Sequence, residues 1–88
     1  REEQAIIIEE GQVDEDTAKR LVKLGEMVRN LRQHGLEEGI STRLLVYAGR
    51  LISDGVPPLV ACEAAVTRAM TDDFEIQEAI TEIIAGIF

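Results

Sequence analysis

Four polar residues at helical spacing are the part of this sequence that could do chemistry. Arg43, Tyr47, Arg50 and Asp54 stand at i, i+4, i+7 and i+11, so a helix here places them on one face. Two guanidinium groups on such a face could hold an anion. The simpler interpretation is an exposed edge with an Arg50–Asp54 ion pair, which contributes about 0.2–0.5 kcal/mol. The residues alone leave both interpretations open.

Arg43 has an unusual place in that helix. Ser41 is a good N-cap, so Arg43 becomes the second helical residue, after Thr42. The backbone N–H groups there carry roughly half a positive charge, which disfavours a nearby cation by about 0.3–1 kcal/mol unless an anion joins it. If the chain has an anion site, the sequence therefore predicts it at this helix start.

The charge distribution supports the same location. Residues 19–50 carry seven bases and three acids, whereas residues 1–18 and 51–88 each carry seven acids and one base. A basic middle of +4 therefore lies between two segments of −6 each. The net charge of −8 argues against a nucleic-acid partner, including for a helix-turn-helix protein, because phosphate binding needs a basic surface.

The other reactive side chains have structural explanations. Cys62 lies among alanines, which is typical of a packed thiol, and His34 is predicted to end a helix. Asp72 and Asp73 could be a metal or acid–base pair, but capping of the last helix explains them better. The sequence has no phosphate-binding loop, dinucleotide fingerprint or zinc spacing, and Ser41 and Ser53 lack the context of a prosthetic-group carrier. We expect the chain alone to bind no metal or cofactor and to catalyse nothing.

The periodicity predicts an all-α fold, a small bundle of about five helices. The predicted helices cover about residues 2–10, 15–33, 42–54, 58–69 and 72–88, with Gly11, Gly35 and Gly55 as stops. Asp14 is the expected cap of the second helix, and Thr71 or Asp72 the expected cap of the fifth. The inward positions are predicted to be Ile6, Ile7 and Ile8, then Ala18, Leu21, Val22, Gly25, Val28 and Leu31 with Leu24 and Met27, then the apolar residues of the third helix, and finally Ile76, Ala79, Ile80, Ile83, Ile84 and Ile87.

Length and composition indicate one small domain, residues 1–88, with one modest core. The longest apolar run is far too short to span a bilayer, so no membrane insertion is predicted. A single cysteine excludes an internal disulfide and fits a reducing cytoplasm. Because the chain begins at Arg1 and shows no signal-peptide pattern, we expect a cytoplasmic fragment of a longer protein.

The stretch around Arg43 also carries a family resemblance. "LEEGISTRLLVYAGRLI", followed by "GVPPLVAC" and "TDD", resembles the C-terminal region of the CbbQ/NorQ/NirQ group of MoxR-type AAA+ ATPases. The similarity runs from "VDEDTAKRLVKLGEMVRNLR" to the terminal phenylalanine, and the STR-containing stretch is its most specific part. The chain thus looks like the helical lid domain of such an ATPase.

The resemblance implies a cytoplasmic ring-forming motor, commonly a hexamer, that works with a von Willebrand factor A-domain partner and activates a client enzyme such as Rubisco or nitric oxide reductase. ATP and Mg²⁺ would belong to the large domain of the parent protein. Arg43 matches the second-sensor arginine, which points at the ATP phosphates from the start of a lid helix, and Ser41 and Thr42 are the helix start that presents it.

The sequence departs from the full family pattern because the phosphate loop, the Mg²⁺-binding acids, the first sensor and the arginine finger are missing. ATPase activity is therefore expected of the parent protein and not of this chain. An alternative from another class is a stand-alone acidic helical adaptor that offers a groove to a partner helix.

Overall fold

Five helices make up the fold in the computed structural model, which describes residues 2–31 and 40–88. They are α1 (Glu2–Gly11), α2 (Glu15–Arg29), α3 (Thr42–Ser53), α4 and α5 (Phe74–Ile87). Helix α4 begins as Pro58–Cys62, passes through a π-helical segment, Glu63–Thr67, and ends as Arg68–Met70. No strand occurs in these two ranges, which confirms the all-α prediction. None of the helices in them is long and apolar enough to cross a membrane.

Side-chain caps begin three of the helices. The Asp14 carboxylate accepts the N–H of Thr17 at 2.8 Å and caps α2, as predicted. The predicted cap of the last helix was wrong, because Asp73, and not Thr71 or Asp72, caps α5 by accepting the N–H groups of Glu75 and Ile76. Thr71 lies too early in an extended segment and instead accepts the N–H of Asp73 through its hydroxyl, at 3.0 Å.

The helix ends follow the predicted glycines only in part. Gly55 adopts a left-handed φ of 101° after α3 and donates its N–H to Ile52, so it is the stop that the sequence predicts. Gly11, by contrast, is the last residue of α1, and Gln12 takes the left-handed conformation with φ 60°. Gly11 packs against α3, where a Cβ on it would make ordinary contacts, 3.5 Å from the Cα of Gly49. The predicted end of α2 near residue 33, the stop at Gly35 and the helix-end position of His34 lie outside the described residues.

One hydrophobic core lies between the five helices. The predicted stripes of α2 and α5 face it, whereas two predicted core positions are wrong, since Ile6 is 41% exposed and Met27 is 37% exposed. Three consecutive isoleucines span about 200° of a helix, so they cannot all face inward, and only Ile7 is fully buried. The buried apolar side chains are Ile7, Ala18, Leu21, Leu24, Val28, Ile40, Leu45, Ala48, Ala61, Cys62, Ala65, Val66, Ile80 and Ile84.

The π-helical segment of α4 is a feature that the hydrophobic pattern did not predict. The N–H of Arg68 donates to the carbonyl of Glu63, five residues back. The wider turn accompanies three consecutive buried residues, Ala65, Val66 and Thr67, which a regular helix would spread around its axis. Helix α4 thereby covers the core with a longer run of its sequence than a regular helix allows.

Candidate functional site

The start of α3 holds the three residues that the sequence analysis singled out. Ser41 is the N-cap, and its hydroxyl accepts the N–H of Leu44 at 3.4 Å. Thr42 is half-buried, whereas Arg43 is exposed in the first turn, and no hydrogen bond or ion pair joins Arg43 to another described residue. The structure therefore brings the three residues together and leaves the guanidinium of Arg43 accessible.

The predicted polar face of α3 is present, because Arg43, Tyr47, Arg50 and Asp54 are all exposed. The Arg50–Asp54 ion pair does not form among the described side chains. Instead, the Nε of Arg50 donates to the carbonyl of Glu10 at 2.9 Å and satisfies a backbone group in the last turn of α1. Seven residues separate the two arginines by about 10 Å along the axis, so they cannot grip one small anion together.

An ion pair that the sequence analysis missed lies directly behind this helix start. The carboxylate of Glu3, in the first turn of α1, accepts a forked contact from Arg29 in the last turn of α2, with distances of 2.8 and 3.3 Å. The Thr42 hydroxyl donates to the same carboxylate at 2.7 Å, and Arg29 also donates to the carbonyl of Ile40 at 3.2 Å. One ion pair thus joins the starts of α1 and α3 to the end of α2.

These contacts change the titration of Glu3. The hydrogen bond from Arg29 is the main reason that the pKa of Glu3 lies below its usual value, and the Thr42 hydroxyl acts in the same direction. Partial burial opposes the shift. The stability that this carboxylate contributes is present above its ordinary pKa and is lost as the pH falls through the lowered one.

No local sequence signal could have revealed this ion pair. Glu3 is 26 positions from Arg29 and 39 from Thr42, so only the packing of α1 across α2 and α3 brings the three together. In the sequence, Glu3 is one acid in the first turn of a helix and Arg29 is one base in the last turn of another. Both are typical of residues that compensate the helix dipole.

Two of the remaining candidates, Cys62 and Asp73, have structural roles. Cys62 is fully buried, and burial raises the pKa of its thiol to about 12, as expected of a packed and unreactive cysteine. Asp73 is occupied as a helix cap, and no metal-binding group of histidine, cysteine or carboxylate side chains occurs within the described ranges.

Comparison with known proteins places this helix start in a family. Residues 3–87 match the family model described as CbbQ/NirQ/NorQ C-terminal. Protein CbbQ of Hydrogenophilus thermoluteolus is 48% identical over 86 residues, which cover 98% of this chain and 32% of that protein. The denitrification regulatory protein NirQ of Pseudomonas aeruginosa is 43% identical over 84 residues, 96% of this chain and 32% of that protein. Protein NorQ of Paracoccus denitrificans is 40% identical over 83 residues, which cover 94% of this chain and 31% of that protein.

The chain spans about a third of the length of these curated relatives. The family match includes α3 and nearly all of the other described residues, so it extends over the whole fold and is not confined to one motif. The chain belongs to the CbbQ/NirQ/NorQ C-terminal family.

Proposed function

We propose that this chain is the C-terminal helical lid of a MoxR-type AAA+ ATPase and supplies Arg43, as the second sensor, to ATP bound in the large domain. The observation that carries the proposal is the exposed Arg43 in the capped first turn of α3, within a chain of the CbbQ/NirQ/NorQ C-terminal family. The matched relatives are about three times as long as this chain, which leaves room for a nucleotide-binding domain in a longer protein.

The chemistry of the first turn suits a phosphate. The guanidinium of Arg43 offers paired N–H donors to phosphate oxygens, and the positive end of α3 favours the same negative charge. Charge develops on the transferred phosphoryl group during hydrolysis, so a cation held at that point stabilises the transition state. ATP and Mg²⁺ would be held by the large domain, and Ser41 would keep the turn that presents Arg43 in place.

The wider assignment follows from the same family membership. We propose a ring of six subunits in the cytoplasm, in which the lid contacts its own large domain and a neighbouring subunit, together with a von Willebrand factor A-domain partner. The relatives include a protein named for denitrification regulation, so a client of the nitric oxide reductase type is proposed beside one of the Rubisco type.

Substitution of Arg43 in the full-length protein tests the proposal. Arg43→Ala should leave the melting temperature unchanged or slightly raised, because it removes a cation from the positive end of a helix. ATP turnover should fall by roughly tenfold to a thousandfold, the loss of about 1.4–4 kcal/mol expected for one such donor. Arg43→Lys should restore only part of the turnover, since a point charge does not reproduce the guanidinium fork.

Arg68→Ala is the matched control, because Arg68 is also an exposed arginine and its side chain makes no hydrogen bond or ion pair within the described part of the chain. Its turnover should equal that of the wild type. Wild-type turnover in Arg43→Ala with an intact ring would contradict the second-sensor assignment and return Arg43 to a solvated surface residue.

One observation favours the alternative of an acidic adaptor. A cavity of about 300 Å³ between α4 and α5 is lined by three acids, Glu63, Glu78 and Glu82, against one base, Arg68, and the Phe74 that also lines it is 68% exposed. A basic amphipathic helix would fit such a groove. The coding sequence upstream of Arg1 separates the two functions, since a G-x-x-x-x-G-K-[ST] loop there supports the lid and a start codon directly before it supports the adaptor.

A further inference from the structure

We propose that Glu3 is a positioning residue for Arg43: its carboxylate holds the first turn of α3 so that the guanidinium meets the ATP phosphates in the productive direction. This inference rests on the proposed function. It assigns a role in nucleotide sensing to a residue 40 positions away along the chain, on a different helix.

The contacts of the Glu3–Arg29 ion pair fall on both sides of the N-cap Ser41, with Glu3 on one side and Arg29 on the other. Thr42, immediately after Ser41, donates to the Glu3 carboxylate at 2.7 Å. Ile40 lies immediately before Ser41, and its carbonyl accepts a hydrogen bond from Nη2 of Arg29. The same Nη2 group donates to the Glu3 carboxylate at 2.8 Å. The segment that leads into Arg43 is therefore held by one ion pair at two points, the Ile40 carbonyl and the Thr42 hydroxyl.

The Glu3–Arg29 ion pair is partly buried, so it can hold the start of α3 in one position. The side chains of Glu3 and Arg29 are 22% and 37% exposed, whereas those of the α2 pair Lys19 and Glu15 are 62% and 70% exposed. Reduced exposure weakens screening by water, and the forked geometry restricts the pair to one orientation. Catalytic groups lose much of their effect when displaced by about 1 Å, so a rigid support behind Arg43 matters for turnover.

A double-mutant cycle in the full-length ATPase tests this role. Glu3→Gln keeps the size of the side chain but removes the charge that holds Arg29, and should lower kcat by about three- to tenfold. Arg43→Ala should cost more, and the double variant should have the turnover of Arg43→Ala alone, within about twofold, because a misplaced first turn matters only while the arginine is present. Melting temperatures are measured on all three proteins.

Two further variants make the test specific. Glu9→Gln removes an exposed acid from the same helix that has no described hydrogen bond or ion pair, and should turn over ATP at the wild-type rate. Thr42→Val removes only the hydroxyl and leaves the Glu3–Arg29 pair intact. Thr42→Val should lower kcat by less than Glu3→Gln does, and it should cause no further loss when it is combined with Arg43→Ala. If Glu3→Gln does not fold, Thr42→Val takes its place in the double-mutant cycle.

The outcomes separate this inference from the proposed function. If Arg43→Ala has wild-type turnover, the second-sensor assignment is wrong and the role of Glu3 ends with it. If Arg43→Ala is impaired while Glu3→Gln and Thr42→Val are not, the sensor stands and the positioning role is overturned. If Glu3→Gln causes the same fold-loss with and without Arg43, the carboxylate supports only the fold, and the positioning role is again overturned.

Discussion

At the start of α3, a cation and an anion lie within one helical turn. Arg43 is the second helical residue, and the Glu3 carboxylate contacts Thr42, the first. An anion near a helix N-terminus is favourable by about 0.3–1 kcal/mol, but the Glu3 carboxylate is already paired with Arg29, so it offsets only part of the unfavourable interaction between Arg43 and the helix dipole. The fold thus supplies one anion itself and tolerates an exposed arginine beside it.

Cys62 gives a prediction that depends on a single side chain. With a pKa of about 12, only about one thiol in ten thousand is ionised near pH 8, and the side chain is fully buried. We expect Ellman's reagent to label the folded protein no faster than the protein unfolds, and to label it at once in guanidinium chloride. Rapid stoichiometric labelling of the folded protein would show that α4 opens without global unfolding.

At the scale of elements, the helices approach closely where glycines face a neighbour. A Cβ on Gly49 would make only ordinary contacts, at 3.5 Å from Gly11 and from Leu21. A Cβ on Gly25 of α2 would lie 3.0 Å from Cδ1 of Leu45, and Leu45 is fully buried. The tightest of these glycine positions therefore faces the most buried part of α3.

Alanine substitutions of two glycines measure that packing. Gly86→Ala, near the end of α5, meets nothing within 4 Å and should raise the free energy of unfolding by about 0.4–1 kcal/mol. Gly25→Ala has the same helix-propensity gain but should lower the free energy of unfolding, because overpacking a core costs about 1–3 kcal/mol. Urea unfolding followed by circular dichroism compares them. Equal stabilisation by both substitutions would mean that Leu45 moves aside freely.

The whole chain has a net charge of −8 with one basic segment, residues 19–50, and it spans about a third of the length of its curated relatives. Its proposed role gives it a single phosphate-facing residue, Arg43. A nucleotide site needs several backbone N–H groups arranged around the phosphates, which the relatives' additional length could provide and one helix start does not.

We therefore predict that the 88-residue chain alone binds ATP weakly, with a Kd above roughly 1 mM, the affinity expected of a few unassisted contacts. Calorimetric titration of the chain with ATP is the measurement, and the full-length protein is the control. Submicromolar binding by the chain alone would show a complete nucleotide site within these residues and would contradict the lid assignment.

The features that depend on neighbouring residues could be predicted from the amino-acid sequence. The helical period, the caps Asp14 and Ser41 and the left-handed stop at Gly55 follow from interactions within a few positions, and the structure confirms each of them. The polar face of α3 that carries Arg43 and Tyr47 could also be predicted, because it depends only on the spacing of residues along one helix. Family membership was also readable from the α3 stretch.

Where two residues could serve the same local purpose, the sequence left the choice open and the folded structure shows which one is used. Asp72 and Asp73 can both cap a helix, and the position at which α5 docks selected Asp73. Gly11 stays helical where α1 packs against α3, and Gln12 takes the left-handed turn conformation. The hydrogen bond from Thr42 to Glu3 joins residues 39 positions apart, and such contacts arise from packing that leaves no periodic trace along the chain.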